Sequence, residues 1–196
     1  MSKLLLATRN PAKAHEYTLL LAGIPFEIVT LDEQGIETQV SETGQTLEEN
    51  ATLKAVAHAS LTNLLALADD SGLEVDALGG EPGVLSARYA GAHASDDEMI
   101  EHLLTKLKGV PWERRSARFR CVIVIASPGG WVELCHGQCK GVIALSPKGE
   151  NGFGYDPVFY LSERGKTMAE LSLEDKNQIS HRGLAAKQAR QTLLRL

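Results

Sequence analysis

The stretch LLLATRNPAKAHEYTLLLAGIPFEIV, residues 4–29, decides the class of fold. Leu4–Ala7 is a short apolar run that ends at Thr8 and reads as a strand. Pro11 stands where a first helical residue belongs, since its missing N–H has no intrahelical partner to lose there. Ala12–Leu21 then reads as a helix, which Gly23-Ile24-Pro25 stops. Phe26–Val29 reads as a second strand, giving the order strand, helix, strand.

Outward from this unit, Ile36–Gln45 is polar and acidic, the composition of a loop. Thr46-x-x-Glu49 is a capping box opening a helix through about Leu61. Leu64–Ala68 has the pattern of a buried strand and runs into Asp69-Asp70-Ser71-Gly72. Leu73–Ala77 alternates apolar and acidic residues, and Gly79-Gly80 and Pro82-Gly83 mark a loop. Asp96–Leu107 predicts an amphipathic helix with Met99, Ile100, Leu103, Leu104 and Leu107 on one face. Phe119–Ala126 and Trp131–His136, joined by Pro128-Gly129-Gly130, predict a hairpin, and Gly141–Leu145 extends the strand region. Gly152-Phe153-Gly154-Tyr155-Asp156-Pro157 is a stiff turn. Short helices follow near Met168–Leu171 and Leu173–Ile179, and His181–Leu194 is the last helix. Strands and helices in this order predict an α/β fold with a mixed sheet flanked by helices, in one domain spanning 1–196.

Composition narrows the function. A chain of 196 residues hides roughly 70% of its unfolded surface, enough for a real core. Lys plus Arg total 20 against 25 Asp plus Glu, a net charge of -5, which argues against a nucleic-acid partner held through phosphates. It leaves room for a small anion gripped by a few lysines. The start, MSKLLLAT, lacks the pattern of a signal peptide, and no stretch reaches the roughly 18 apolar residues of a membrane span. Three cysteines, an odd number, fit free thiols in a reducing cytoplasm.

Five groups of residues carry candidate chemistry. Thr8-Arg9-Asn10-Pro11-Ala12-Lys13 lies where a strand meets a helix, where unpaired N–H groups attract phosphate and Lys13 adds a full charge. The same residues also serve as a plain Asn N-cap followed by Pro. Asp69 and Asp70 end a buried strand and point to opposite faces. One suits Mg²⁺ or the activation of water, the other the fixing of a loop; an Asx turn is the plainer reading of both. Glu42 lies in the acidic loop within reach of a metal, while Asn50 and Lys54 share one helix face. Lys54 points either into a site or to the surface. The aromatics of Phe153-Gly154-Tyr155-Asp156-Pro157 suit stacking on a base, or filling of the core. Lys176 and His181-Arg182, after Ser180, bring donors that suit a keto oxygen or a phosphate. Cys135 and Cys139, roughly 13 Å apart if they share a strand, form no metal site.

Together and in this order, ATRNPAK, SETGQTLEENATLKA, ADDSGLEVDALGGEPGVLSARYAG, GFGYDP and SHRG resemble the inosine triphosphate pyrophosphatase family. The resemblance covers most of the chain from Leu4 to the last helix. It implies an elongated mixed sheet with helices, two lobes about a central cleft, and a homodimer. The implied reaction is Mg²⁺-dependent hydrolysis of deaminated purine nucleoside triphosphates (ITP, dITP, XTP) to the monophosphate and pyrophosphate, in the cytoplasm. Carried over by position, Thr8, Arg9, Asn10, Pro11, Ala12 and Lys13 line the triphosphate site. Asp70 is the proton acceptor and a Mg²⁺ ligand, with Glu42 as second ligand. Ser71 touches the substrate, and Lys54 matches the family's helix lysine. Phe153 stacks on the base beside Gly154, Tyr155 and Asp156, while Lys176, His181 and Arg182 contact phosphate or base. Arg9 departs from the Gly common in the family.

Overall fold

The computed structural model describes residues 2–196. A seven-stranded sheet runs in the order β2-β1-β3-β4-β5-β6-β7. The strands are β1 (Ser2–Leu6), β2 (Phe26–Thr30), β3 (Leu65–Val75), β4 (Ser116–Ala126), β5 (Val132–Ile143), β6 (Phe159–Leu161) and β7 (Lys166–Thr167). The helices are α1 (Pro11–Leu20), α2 (Leu47–Thr62), α3 (Asp96–Lys106), α4 (Leu173–Ile179) and α5 (His181–Leu193). β1 is parallel to β2 and to β3, with Leu4 opposite Ile28 and Leu65. β6 is antiparallel to β5 and to β7, so the sheet is mixed. The chain divides into two compact units.

The first unit comprises the described part of Met1–Asp70 with Cys121–Gly137 and Arg182–Leu196. Leu4, Leu5 and Leu6 are at most 1% exposed, as expected of a parallel strand covered on both faces. Asn10 caps α1 by accepting the Lys13 N–H at 3.0 Å, and Pro11 takes the first helical position. Tyr17 of α1 and Leu21, which caps its C-terminus, pack with Ala185, Ala186, Ala189 and Leu193 of α5 over Leu4, Leu6 and Ile123. Burying each such leucine stabilises the fold by about 1.5–3 kcal/mol. Thr46 caps α2 by accepting the Glu49 N–H at 3.1 Å. The expected reciprocal half of the box shifts by one residue, since Glu49 accepts from the Gln45 N–H at 2.6 Å.

The second unit comprises Ser71–Arg120 and Gln138–His181. α3 is capped by a full box, Ser95 with Glu98, and buries Met99, Ile100 and Leu103. These pack with Leu73, Val75, Phe119, Phe159 and Met168. The Phe119 and Phe159 ring centroids lie 4.4 Å apart.

Three expectations need correction. The segment Asp69-Asp70-Ser71-Gly72 is no strand end: β3 runs unbroken for 11 residues from Leu65 to Val75. No Asx turn forms, because these residues lie within the strand, and each carboxylate has a lysine beside it. Gly72 belongs in a strand here because a Cβ would collide with the Gly83 carbonyl, so two backbones approach closely. β5 is likewise one strand of 12 residues instead of two pieces. β6 and β7, only 3 and 2 residues long, fall below any useful periodicity.

Candidate active site

In the first unit, α1 and β3 bring charges together. Lys13 Nζ donates to Asp69 Oδ2 at 2.9 Å. Arg182 Nε, at the start of α5, lies 3.9 Å from the same oxygen. Arg182 Nη1 donates to Glu16 Oε2 at 2.7 Å, and its guanidinium lies 5.9 Å from the centre of the Tyr17 ring. The side chains of Arg182, Glu16 and Asp69 are 2%, 4% and 1% exposed. Burial alone pushes the Asp69 carboxyl up, but Lys13, Arg182 and Lys54 together hold it well below the usual carboxylate range. Cys121 Sγ lies 3.9 Å from Asp69 Oδ2 and 3.6 Å from the Tyr17 hydroxyl. Burial, with Asp69 beside it, pushes the Cys121 thiol up to about 12, which leaves it inert.

Asp70 serves a different partner, as the alternation of β3 requires. Lys54 Nζ donates to Glu42 Oε1 at 2.7 Å and lies 3.7 Å from Asp70 Oδ1. Burial raises the Asp70 pKa; Lys54 and Lys13 oppose this, Glu42 and Asp69 add to it, and the net shift is upward. Burial lowers the Lys54 pKa, yet Asp70, Asp69 and Glu42 outweigh it and keep the ammonium charged. Adjacent residues thus have opposite shifts, which marks Asp70 as the more basic of the two. Glu42 is held in place by its loop. The Gly44 N–H donates to Asn50 Oδ1 at 2.8 Å, and a Cβ at Gly44 would lie 2.6 Å from Glu49 Cβ. Among the described residues no three His, Cys, Asp or Glu side chains gather to hold a metal. Asp70 with Glu42 nonetheless fits Mg²⁺ by donor type. That ion takes one or two carboxylates and completes its shell with water and substrate phosphate oxygens.

The segment from Thr8 to Lys13 is partly or fully exposed. Thr8 Oγ1 accepts the Asn10 N–H at 3.2 Å. Arg9 turns to the acidic loop, donating from Nη2 to the Ile36 carbonyl at 2.6 Å. At the exposed first turn of α1, Pro11 has no N–H and Asn10 caps that of Lys13, which leaves the Ala12 N–H to face an anion.

In the second unit, the turn 152–156 is fixed at successive residues. Asp156 Oδ2 accepts the Phe153 N–H at 3.0 Å, Asp96 Oδ2 accepts the Gly154 N–H at 2.6 Å, and the Tyr155 hydroxyl donates to the Ser86 carbonyl at 2.9 Å. Gly154 has φ of +62°, which favours glycine. Lys176 Nζ donates to Asp156 Oδ2 at 2.6 Å and lies 4.7 Å from the centre of the Phe153 ring. His181 stacks on Phe119 with centroids 4.6 Å apart. Ser71 follows Asp70 within β3 and is half-buried.

The structure therefore gathers Lys13, Asp69 and Arg182 in one cluster, Glu42, Lys54 and Asp70 in another, and Phe153, Asp156 and Lys176 in a third. Arg182 itself is buried, 2% exposed at its side chain, with Glu16 Oε2 at 2.7 Å and Asp69 Oδ2 at 3.9 Å beside it. Sequence reasoning missed Glu16, Tyr17, Asp96 and Cys121. The spacing of Lys13 and Glu16, three apart on one helix, was the available signal for Glu16.

The chain is similar to known proteins over nearly its whole length. Residues 4–192 match the Ham1 family. A dITP/XTP pyrophosphatase of Geobacter sulfurreducens is 52% identical over 94% of this chain and 93% of that protein. A dITP/XTP pyrophosphatase of Bacillus subtilis is 46% identical over 95% of this chain and 94% of that protein. The solved structure of a HAM1 protein from Coxiella burnetii superposes with a TM-score of 0.92 at 42% identity, covering 100% of both chains. The chain belongs to the Ham1 family.

Proposed function

We propose that this chain hydrolyses deaminated purine nucleoside triphosphates, ITP, dITP and XTP, to the monophosphate and pyrophosphate. The observation that carries this reading is the divergence of two neighbouring carboxylates. Asp69 is locked as an anion by Lys13 and Arg182, whereas Asp70, beside Lys54 and Glu42, is raised toward basicity. A water-activating base needs a raised pKa, and a polyphosphate needs ammonium groups that stay charged. The relatives named dITP/XTP pyrophosphatase support the substrate class.

In this reading Asp70 takes the proton from the attacking water, and Lys13 and Lys54 offset charge on the phosphates. Thr8, Arg9, Asn10, Pro11 and Ala12 supply the surrounding segment, with its helix N-terminus. Asp70 and Glu42 would hold Mg²⁺, which would supply Lewis-acid stabilisation of the phosphoryl oxygens. Phe153 stacks on the base, supported by Gly154, Tyr155 and Asp156, and Ser71 touches the substrate. Lys176 and His181 are the donors near the base. Lysine only donates, so it suits a 6-keto oxygen and leaves an amino group opposed. An unpaired buried polar group then costs about 1–3 kcal/mol. Arg182 acts from behind, through Asp69. The net charge of -5 argues against a nucleic-acid partner and leaves room for a small anion held by a few lysines. A cytoplasmic homodimer completes the reading, carried by the family resemblance.

Pyrophosphate release from ITP, XTP and dUTP, with and without Mg²⁺, tests it. Asp70→Asn is expected to lower kcat about 10²–10⁴-fold, the usual contribution of a general base, while nucleotide affinity stays within a few-fold. Full activity of Asp70→Asn would remove Asp70 from the reaction.

A further inference from the structure

We propose that Glu16 is a positioning residue for the Lys13 ammonium, acting through Arg182 and Asp69, and so sets how tightly this chain grips a polyphosphate. The proposal rests on the reading above, in which Lys13 meets the phosphates.

The contacts close a ring. Lys13 and Glu16 stand three apart on α1 and therefore lie on one side of that helix. Glu16 Oε2 accepts from Arg182 Nη1 at 2.7 Å, Arg182 Nε lies 3.9 Å from Asp69 Oδ2, and that oxygen accepts from Lys13 Nζ at 2.9 Å. Two cations and two anions sum to zero. Glu16, Arg182 and Asp69 are at most 4% exposed at their side chains, while Lys13 is 16% exposed. Lys13 is thus the member of the ring most open to solvent.

The balance within the ring decides where Lys13 sits. Arginine cannot shed its proton, so the buried Arg182 needs a full anionic partner. Glu16 provides it at hydrogen-bond distance. Arg182 Nε then stays beyond hydrogen-bond reach of Asp69, and Asp69 Oδ2 is left to Lys13. With Glu16 neutral, Asp69 becomes the ring's remaining anion and two cations compete for it. The guanidinium fork binds carboxylate better than an ammonium does, so Lys13 loses its hold.

A double-substitution cycle on the full chain tests this. Glu16→Gln and Lys13→Gln are made singly and together. Affinity for inorganic tripolyphosphate is read by calorimetry, and KM and kcat for ITP by pyrophosphate release. Glu16→Gln is expected to weaken tripolyphosphate binding and raise KM roughly tenfold, the size of a typical coupling between contacting residues, with a smaller change in kcat. In the Lys13→Gln background the further loss is expected to be under about twofold. Equal losses in both backgrounds would show that Glu16 only holds the fold and would overturn the proposal. If Glu16→Gln does not fold, Glu16→Asp, which keeps the charge on a shorter arm, carries the same cycle with a roughly threefold loss. Normal ITP turnover with an additive cycle sinks this proposal alone. An unsubstituted chain that neither cleaves ITP nor binds tripolyphosphate sinks the pyrophosphatase reading and this proposal with it.

Discussion

The two units concentrate their chemistry in different materials. Around α1 and β3 the first unit packs Lys13, Glu16, Asp69 and Arg182, four charged groups, into contact with one another. Around residues 152–156 the second unit relies on one buried ion pair, Lys176 with Asp156, and otherwise on rings and pinned backbone N–H groups. Coulomb attraction has little directional preference and is indifferent to which base a nucleotide carries. Ring stacking beside fixed donors depends on the shape and edge pattern of the base. On the proposed reading, the contrast teaches that sensing charge and sensing ring identity would fall to different residues, so substitutions can separate them.

The largest stability effect belongs to the charged cluster and splits neighbouring residues. Asp69→Asn leaves Lys13 and the buried Arg182 short of an anion and is expected to cost about 3–5 kcal/mol at pH 7, measured by denaturant unfolding. Because the folded Asp69 pKa is depressed, its contribution is complete above the ordinary aspartate pKa. It is lost progressively as pH falls from there toward the lower folded value, so the gap between parent and Asp69→Asn narrows in strong acid. Asp70→Asn has the opposite sign. Its folded pKa is raised, first by burial, so ionising it opposes folding as pH climbs through the window above the ordinary aspartate pKa. Asp70→Asn is therefore expected to raise Tm at pH 7 while losing turnover. Parallel shifts of both variants in the same direction would erase the distinction between the two carboxylates.

That distinction was only half legible beforehand. Alternation along a strand says that Asp69 and Asp70 face opposite ways, and the apolar run before them says that the strand is buried. Neither says which lysine each will meet, because Lys13 and Lys54 reach β3 from helices far away in sequence. The βαβ start, the caps at Asn10 and Thr46 and the amphipathic α3 were legible, since each rests on local chemistry. The continuation of β3 past Asp70 was not, because the Gly72–Gly83 contact that favours it is tertiary. Arg182 shows the same limit. A charged residue at a helix start reads as exposed until the packing places Glu16 and Tyr17 around it.

A second experiment sharpens the contrast from the aromatic side. Phe153→Ala is expected to raise KM for ITP about 5–150-fold, the range of 1–3 kcal/mol for one base on one aromatic ring. Its affinity for tripolyphosphate, which carries no base, is expected to stay near that of the parent. Lys13→Gln should weaken ITP and tripolyphosphate together. A Phe153→Ala chain that loses tripolyphosphate as severely as ITP would mean that charge and ring are not read by separate residues.

The smallest expected effect concerns Arg9. Its guanidinium donates to the Ile36 carbonyl at 2.6 Å and the Thr38 carbonyl at 3.4 Å, and lies 3.6 Å from Asp32. It therefore ties the segment before α1 to the loop that leads to Glu42. At 38% exposure this tie competes with water, so its worth is about 1 kcal/mol, below the usual range for a buried hydrogen bond to a charged group. Arg9→Gly frees the start of that loop without touching Lys54 or Asp70. The Mg²⁺ concentration for half-maximal pyrophosphate release is then expected to rise about fivefold, with a smaller loss of kcat. Arg9→Lys separates geometry from charge, since an ammonium keeps the positive field but lacks the fork that spans two carbonyls. If the tie is what matters, lysine behaves like glycine. If lysine restores the parent Mg²⁺ dependence, Arg9 acts through charge alone, and it joins the charged cluster instead of the scaffold that holds Glu42.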